Sequence, residues 1–466
     1  MAPSDQNESV GIDEATPIAA IATPVGEGGI AVIRVSGKNA IDKVNQAFRG
    51  SDLAEKESHT VHFGKIADAQ GAVVDEVLAT LFHAPKSYTG EETVEISCHG
   101  GVLVTQAVLE TILALGIRPA EAGEFTQRAF LNGKMELSQA EAVADLIHAK
   151  SAKALDSAHQ QLEGRLGEHI RQFRQQIIDA TALVELELDF IEEDVEFADR
   201  DRLGELLSEL DEEINDLLAT YETGRLVKHG VRTVFIGLPN AGKSTLLNTL
   251  VGRDRAIVTD IAGTTRDTID VDWSYEGLRF ILTDTAGLRD TDDAVEAEGV
   301  RRSQKAFSEA DLVVYLKDLS HELTHDERGE IASFQQEAGD MPFVLIGTKN
   351  DIARPAKDER MDFDLKISAL EGEKIEELKR LMKWRALENK DYDSSSLLVT
   401  SSRHRDALQK AQQHVQSAIQ ALERGMTGDF LSIDLRAALK NLSAITGDIT
   451  TEDILDSIFS RFCIGK

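Results

Sequence analysis

The segment Gly237-Leu-Pro-Asn-Ala-Gly242-Lys243-Ser244 spaces two glycines, a lysine and a hydroxyl as a phosphate cradle requires. Glycines let the backbone N–H groups close around an anion, and a helix N-terminus behind them adds positive potential. An apolar run from Val231 leads into the loop and Thr245–Leu250 leads out with helical spacing, so a strand hands over to a helix there. Lys243 would reach the β- and γ-phosphates of a nucleotide, acting in catalysis as well as binding, and Ser244 would coordinate Mg²⁺. Asn240, Ala241, Gly242 and Thr245 complete the cradle.

Three further motifs follow in order. Thr259-Asp260-Ile261-Ala262-Gly263-Thr264-Thr265 is polar, and Thr265 is placed to give Mg²⁺ a second hydroxyl while a γ-phosphate is present, which makes a loop a switch. Asp284-Thr285-Ala286-Gly287 ends an apolar strand: the carboxylate can hold Mg²⁺ through water and the glycine amide can sense the γ-phosphate. Thr348-Lys349-Asn350-Asp351 follows another apolar strand. The Asp351 carboxylate suits the two donors on the N1 and N2 edge of guanine, which adenine lacks, and the Lys349 stem can lie over the base. The usual pattern begins with Asn; Thr348 in its place leaves one hydrogen bond of the guanine loop open. Ser368 and Ala369 would close the base pocket through backbone amides. A glutamine commonly follows the Asp-x-x-Gly motif and orients the attacking water. Here the residue is Leu288, so another group must do that work.

The elements that must carry these loops can be traced in outline. After a polar tail over residues 1–15, Ile18–Ala22, Ile30–Val35, Val73–Phe82 and Thr93–Cys98 read as strands and Val102–Leu115 as a helix, within a first domain at 16–131. Residues 132–228 carry apolar positions three and four apart, among them Ile170, Phe173, Ile177 and Leu203, Leu207, Leu210, Ile214: amphipathic helices. Strand and helix alternate over 229–387, as in a parallel α/β sheet. Helical spacing resumes over 388–466. The economical arrangement is a helical domain in two pieces with the α/β domain inserted between them.

Size and composition narrow the classes. A chain of 466 residues is too long for one core. Its 82 acidic against 50 basic residues give a net charge of −32, which argues against broad binding to phosphate backbones. Cys98 and Cys463 alone make no disulfide framework, which points to a reducing compartment. No apolar run approaches the ~20 residues of a membrane span, and the first fifteen residues lack the features of a secretory signal. These observations predict a cytoplasmic protein.

Ala22–Gly37, Ser87–Gly101, Gly123–Lys134, Gln139–Ile147 and the terminal Cys463-Ile-Gly-Lys466 stand beside the nucleotide motifs above. In this combination of motifs the chain resembles the bacterial tRNA modification GTPase MnmE (TrmE) family. Ala122 stands where the family usually has Pro before Gly-Glu-Phe. The resemblance implies a multidomain α/β and all-α protein: an N-terminal α+β folate-binding-like and dimerisation domain, a discontinuous helical domain and an inserted Ras-like P-loop GTPase domain. It implies a tetrahydrofolate derivative, in the 5,10-methylene or 5-formyl form, bound by Arg34, Glu95, Lys134 and Lys466. It implies K⁺ held by Asn240, Thr259, Thr264 and the Ile261 carbonyl, and Glu296 as the catalytic residue that orients water. Its implied partners are a second copy of the chain, the flavoprotein MnmG (GidA) and tRNA. The implied product is an aminomethyl or carboxymethylaminomethyl group at carbon 5 of the wobble uridine of certain tRNAs. Cys463 matches a family cysteine whose role the resemblance does not define; by itself it reads as a small buried side chain.

A regulatory or ribosome-associated GTPase switch is the alternative, and the folate segment and the Cys-Ile-Gly-Lys ending count against it. The guanine assignment is open to direct test. Asp351→Asn should weaken GTP binding and admit xanthosine triphosphate in a competition titration. An unchanged base preference would remove the guanine assignment.

Overall fold

Along Ile30–Ser36 every second side chain is buried, with Ala31, Ile33 and Val35 inside and Arg34 between them. Thr93–His99 repeats the alternation, with Val94, Ile96 and Cys98 inside. A pleated strand gives this period of two, which puts one apolar face on a core and leaves the other face free for polar groups. The computed structural model describes residues 16–189, 200–253, 270–284, 306–353, 361–387 and 396–466. The described chain divides into two compact units, one taking the chain up to Ala144 together with Ser443–Lys466, the other running from Asp145 to Leu442.

The first unit is built on seven strands: β1 (Ile18–Ile21), β2 (Ile30–Ser36), β3 (Phe48–Gly50), β4 (Thr60–Ala67), β5 (Val73–Phe82), β6 (Thr93–His99) and β7 (Arg118–Pro119). They form one sheet in the order β3-β4-β5-β6-β2-β1-β7. All pairs are antiparallel except β1 with β7. Helices Ala40–Ala47 and Val102–Leu113 lay Ile41, Val44, Val108 and Ile112 against the buried sheet face. On the other face the register aligns Val61, Thr80, Glu95 and Arg34 across β4, β5, β6 and β2.

The end of the chain returns to this sheet. Helix Glu452–Phe459 packs Leu455, Ile458 and Phe459 with Phe462 against Leu137 and Ala140. Gly123 has φ 70°, and a Cβ there would lie 2.7 Å from the Phe459 carbonyl. Ile464 bridges antiparallel to Ala122. Gly465 has φ 100°, and a Cβ on it would come within 2.3 Å of the Ile21 carbonyl. Only glycine allows that approach with that backbone.

Beneath this surface lies a buried ionic network. Arg128 (2% exposed) binds Glu124 (2%) at 2.9 Å and Glu91 at 3.1 Å. Arg118 also pairs with Glu124, and Glu91 accepts from Ser36 at 2.8 Å. Burial raises the Glu124 carboxyl, but the bonds from Arg118, the Glu121 amide and Arg128 outweigh it and hold its pKa below the ordinary value.

The second unit opens with helices Ala152–Leu162, Arg165–Asp189, Arg200–Ala219 and Tyr221–His229. Its sheet contains β8 (Val231–Ile236), β9 (Asp270–Tyr275), β10 (Leu278–Asp284), β11 (Leu312–Asp318), β12 (Phe343–Thr348) and β13 (Leu365–Lys366), in the order β13-β12-β11-β8-β10-β9. Every pair is parallel except β9 with β10. Phe235, Phe280, Leu316 and Ile346 fill its main core. Helices Ser402–Glu423 and Gly428–Thr446 follow. Arg200–Ala219 packs on Ser402–Glu423 although the whole sheet lies between them in sequence, and Gln416 bonds Asp211 at 3.0 Å. The fold is therefore a multidomain α/β and all-α one, with the parallel sheet inserted into a helical array. Among the described residues no helix is long and apolar enough to cross a membrane.

Glu124→Gln would leave two arginines short of a buried counter-charge, a loss of about 3–5 kcal/mol to be read as a lower urea midpoint. Because the folded carboxyl titrates below its unfolded value, its stabilisation is present above the unfolded pKa and lost as pH falls through the folded one. The acid limb of the stability profile should accordingly be shallower in the variant.

Candidate functional site

β8 lies between β10 and β11, and the chain leaves it for β9 and β10 on one side and for β11, β12 and β13 on the other. This is the topological switch point of the sheet, where a crevice opens beyond the carboxyl ends of parallel strands. The Gly237–Gly242 loop leaves β8 there and runs into helix Lys243–Arg253. Gly237 has φ 148°, and a Cβ on it would lie 2.3 Å from the Leu316 carbonyl of β11. Asn240 (φ 63°) and Gly242 (φ 91°) also take left-handed backbone, which Asn tolerates better than most residues. Ala241 is buried and anchors the loop. Ser244 and Thr245 are exposed in the first helical turn. The Lys243 ammonium donates to the Gly237 carbonyl at 2.7 Å and to that of Leu238 at 3.0 Å. The cation is thus curled over its own loop at the positive end of a helix, an arrangement suited to phosphate.

The guanine loop leaves β12 on the same edge. Thr348 pairs in register with Asp318, the last residue of β11. Its hydroxyl donates to the Ala241 carbonyl at 2.7 Å, tying the guanine loop to the phosphate loop. Lys349, at φ 58°, sends its ammonium to Asp318 at 2.6 Å. Burial raises the Asp318 carboxyl, but the bonds from Lys349 and Ser320 prevail and keep it below the usual carboxylate value. Asp351 is exposed on the short helical turn Asn350–Ile352. The Asn350 amide N–H bonds the Ile367 carbonyl at 2.9 Å, and Ser368 exchanges backbone bonds with Glu373. Thr249, on the helix behind the phosphate loop, donates to the Ala369 carbonyl at 3.0 Å. Asn240–Thr245, Thr348–Asp351 and Ser368–Ala369 therefore share one edge of one sheet.

Asp284 ends β10 opposite Phe235. Thr259, Asp260, Ile261, Ala262, Gly263, Thr264, Thr265, Thr285, Ala286, Gly287, Leu288 and Glu296 lie outside the described residues. Asp318 is a site residue the sequence reading did not single out. Its signal was present: two apolar strands of similar length end in Lys317-Asp318 and Gly347-Thr348, which parallel register sets side by side.

A second constellation stands on the open face of the first unit. Arg34 and Glu95 are direct cross-strand partners, joined through Nε at 2.9 Å and a terminal nitrogen at 2.8 Å. Both bonds fall on Oε1 of Glu95, and among the described residues Oε2 accepts none. The guanidinium lies 5.3 Å from the centre of the Tyr88 ring and 5.7 Å from that of Phe125. Tyr88 is held by a 2.9 Å hydrogen bond to Thr126, and burial pushes its phenol up. Lys466 comes to the same place: burial first, then the Arg34 charge, hold its ammonium below the ordinary lysine value, against the opposing pull of Glu95. The fold thus gathers Arg34, Glu95 and Lys466. Lys134 binds the Pro85 carbonyl at 3.0 Å and lines a cavity of about 500 Å³ with Glu136, Gln139 and Asp448. Cys463 is exposed rather than buried; the buried thiol is Cys98. Tyr88 and Phe125 lie in segments that carry the resemblance but were not singled out, since their approach to Arg34 depends on how a loop and a helix close over β2.

A family model described as the MnmE helical domain matches residues 137–463, and one described as the GTP-binding protein TrmE N-terminus matches 17–134. A tRNA modification GTPase MnmE from Salinibacter ruber is 49% identical, covering 98% of this chain and all of its own. Proteins of the same name from Cytophaga hutchinsonii and Chlorobaculum tepidum are 44% and 43% identical, covering 96% and 100% of this chain and 97% and 100% of their own.

Gly237→Ala tests the close approach on which the phosphate loop depends. The added methyl meets the Leu316 carbonyl in a strained backbone region, for a cost of about 1–3 kcal/mol. A lower urea midpoint together with weaker binding of guanine nucleotide is the expected result. Stability and affinity both equal to the parent would show that the contact is not limiting.

Proposed function

The chain belongs to the tRNA modification GTPase MnmE family, and from that premise we propose that it is a potassium-stimulated GTP hydrolase serving wobble-uridine modification in certain tRNAs. The observation that carries the reading is the common edge of one sheet, on which Lys243 and Ser244 stand beside a loop bearing Asp351. Lys243 turns its ammonium from the Gly237 and Leu238 carbonyls to the phosphates. Ser244 and Thr265 would hold Mg²⁺, and Asp351 selects guanine. Asn240, Thr259, Thr264 and the Ile261 carbonyl would hold K⁺, whose charge offsets that developing on the phosphate oxygens. Leu288 cannot orient water, and Glu296, which matches the family's catalytic glutamate, would take that part.

The modification chemistry belongs to the first unit. A tetrahydrofolate derivative held there by Arg34, Glu95, Lys134 and Lys466 would supply a one-carbon group. Glu95 has an oxygen to offer the donor edge of a pterin, and Arg34 and Lys466 bring positive charge suited to a glutamyl tail. Lys134 serves the same ligand. The partners are a second copy of this chain, the flavoprotein MnmG and tRNA, in the cytoplasm. The open sheet face supports the dimer, since Phe63 and its cross-strand neighbour Leu78 are 65% and 44% exposed. The net charge of −32 leaves tRNA to local patches or to the partner protein.

Hydrolysis should be several-fold faster in potassium than in sodium, because sodium is too small for the ligand cage; equal rates would remove the potassium site. Glu296→Ala should keep nucleotide affinity and lose turnover. The decisive measurement is nucleoside analysis of tRNA from cells lacking this protein. Loss of the modified wobble uridine is expected, and its persistence would sink the proposal.

A further inference from the structure

Guanine has a second polar edge besides the one a carboxylate can pair with: its N7 and O6 atoms are acceptors and need donors. Position 348 is where a guanine loop usually offers one, through an asparagine amide. An amide carries two N–H donors, whereas a threonine hydroxyl carries a single proton. In Thr348 that proton is already used. The hydroxyl lies 2.7 Å from the Ala241 carbonyl and 3.2 Å from the Lys317 carbonyl, two acceptors for one hydrogen. The residue is 2% exposed, so turning the hydroxyl away would break a buried hydrogen bond.

Its neighbours are engaged as well. The Lys349 ammonium is held by Asp318 at 2.6 Å. The Asn350 side-chain amide is shared between the two carboxylate oxygens of Glu373, each at 3.1 Å. Each of the three side-chain donor groups of Thr348–Asn350 therefore already has a partner within the protein.

We infer that this guanine loop leaves N7 of the base unread: Thr348 spends its one proton in fastening the guanine loop to the phosphate loop, and selection rests on Asp351 at the N1 and N2 edge. The inference depends on the guanine-nucleotide reading above and sharpens it. It makes 7-deazaguanine nucleotides, in which a C–H replaces N7 while the Asp351 edge is unchanged, equivalent ligands for this chain.

The test is competition of 7-deaza-GTP against GTP on the full chain with Mg²⁺. The unaltered protein should bind the two within about twofold of each other. Thr348→Asn restores a second donor and should acquire a preference for GTP of roughly three- to tenfold, the span of one neutral hydrogen bond. Thr348→Val cuts the tie to Ala241 and should weaken both nucleotides alike, with their ratio still near one. A parent protein that binds GTP well but 7-deaza-GTP fivefold or more weakly overturns this inference alone. No gain of preference in Thr348→Asn overturns it too, because N7 would then be beyond the reach of this position. A chain that binds neither nucleotide removes the guanine site, and this inference with it.

Discussion

The buried hydrogen bond from Thr348 to the Ala241 carbonyl joins the two halves of the nucleotide site. It closes because β8, β11 and β12 run parallel and release their loops on one edge. A phosphate cradle and a base-reading carboxylate are useful only at a fixed separation. Strand register sets that separation to first order, and this bond removes the remaining freedom between the loops. The close passage of Gly237 over the Leu316 carbonyl does the same from the other side, seating the cradle against β11.

The first unit solves a different positioning problem with a pleated sheet. Alternation along β2 and β6 buries Ile33, Val35, Val94 and Ile96, and so forces Arg34 and Glu95 onto the opposite face as direct neighbours. Their charges are confined by aromatic rings from a loop and a helix. That helix, Glu124–Leu131, turns Phe125 and Thr126 toward the site while Glu124 and Arg128 enter the buried ionic network. The network costs desolvation, and its hydrogen bonds and paired charges offset that cost. One helix thereby links the stability of the unit to the geometry of its surface.

Two glycines far apart in the chain serve the same constellation. Gly123 lets helix Glu452–Phe459 approach, and Gly465 lets the last residues lie against β1, so Lys466 arrives beside Arg34. Cys463 stays outside.

The sequence by itself displayed the spacing of the candidate phosphate and guanine motifs, and determined the mainly parallel α/β segment, the helices before and after it and the strands Val73–Phe82 and Thr93–Cys98. Those follow from local spacing, because periodicity and turn residues act over a few positions. Tertiary structure alone decided that Thr348 ends on Ala241, 107 residues away. It also decided that Tyr88 and Phe125 stand over the Arg34 guanidinium. Each of these is a contact between distant segments, and a residue's own neighbours carry no record of which distant backbone it will meet. The threonine at the head of the guanine loop shows the division. Its identity is plain in the chain, but where its one proton goes depends on how three strands, β12, β11 and β8, lie side by side.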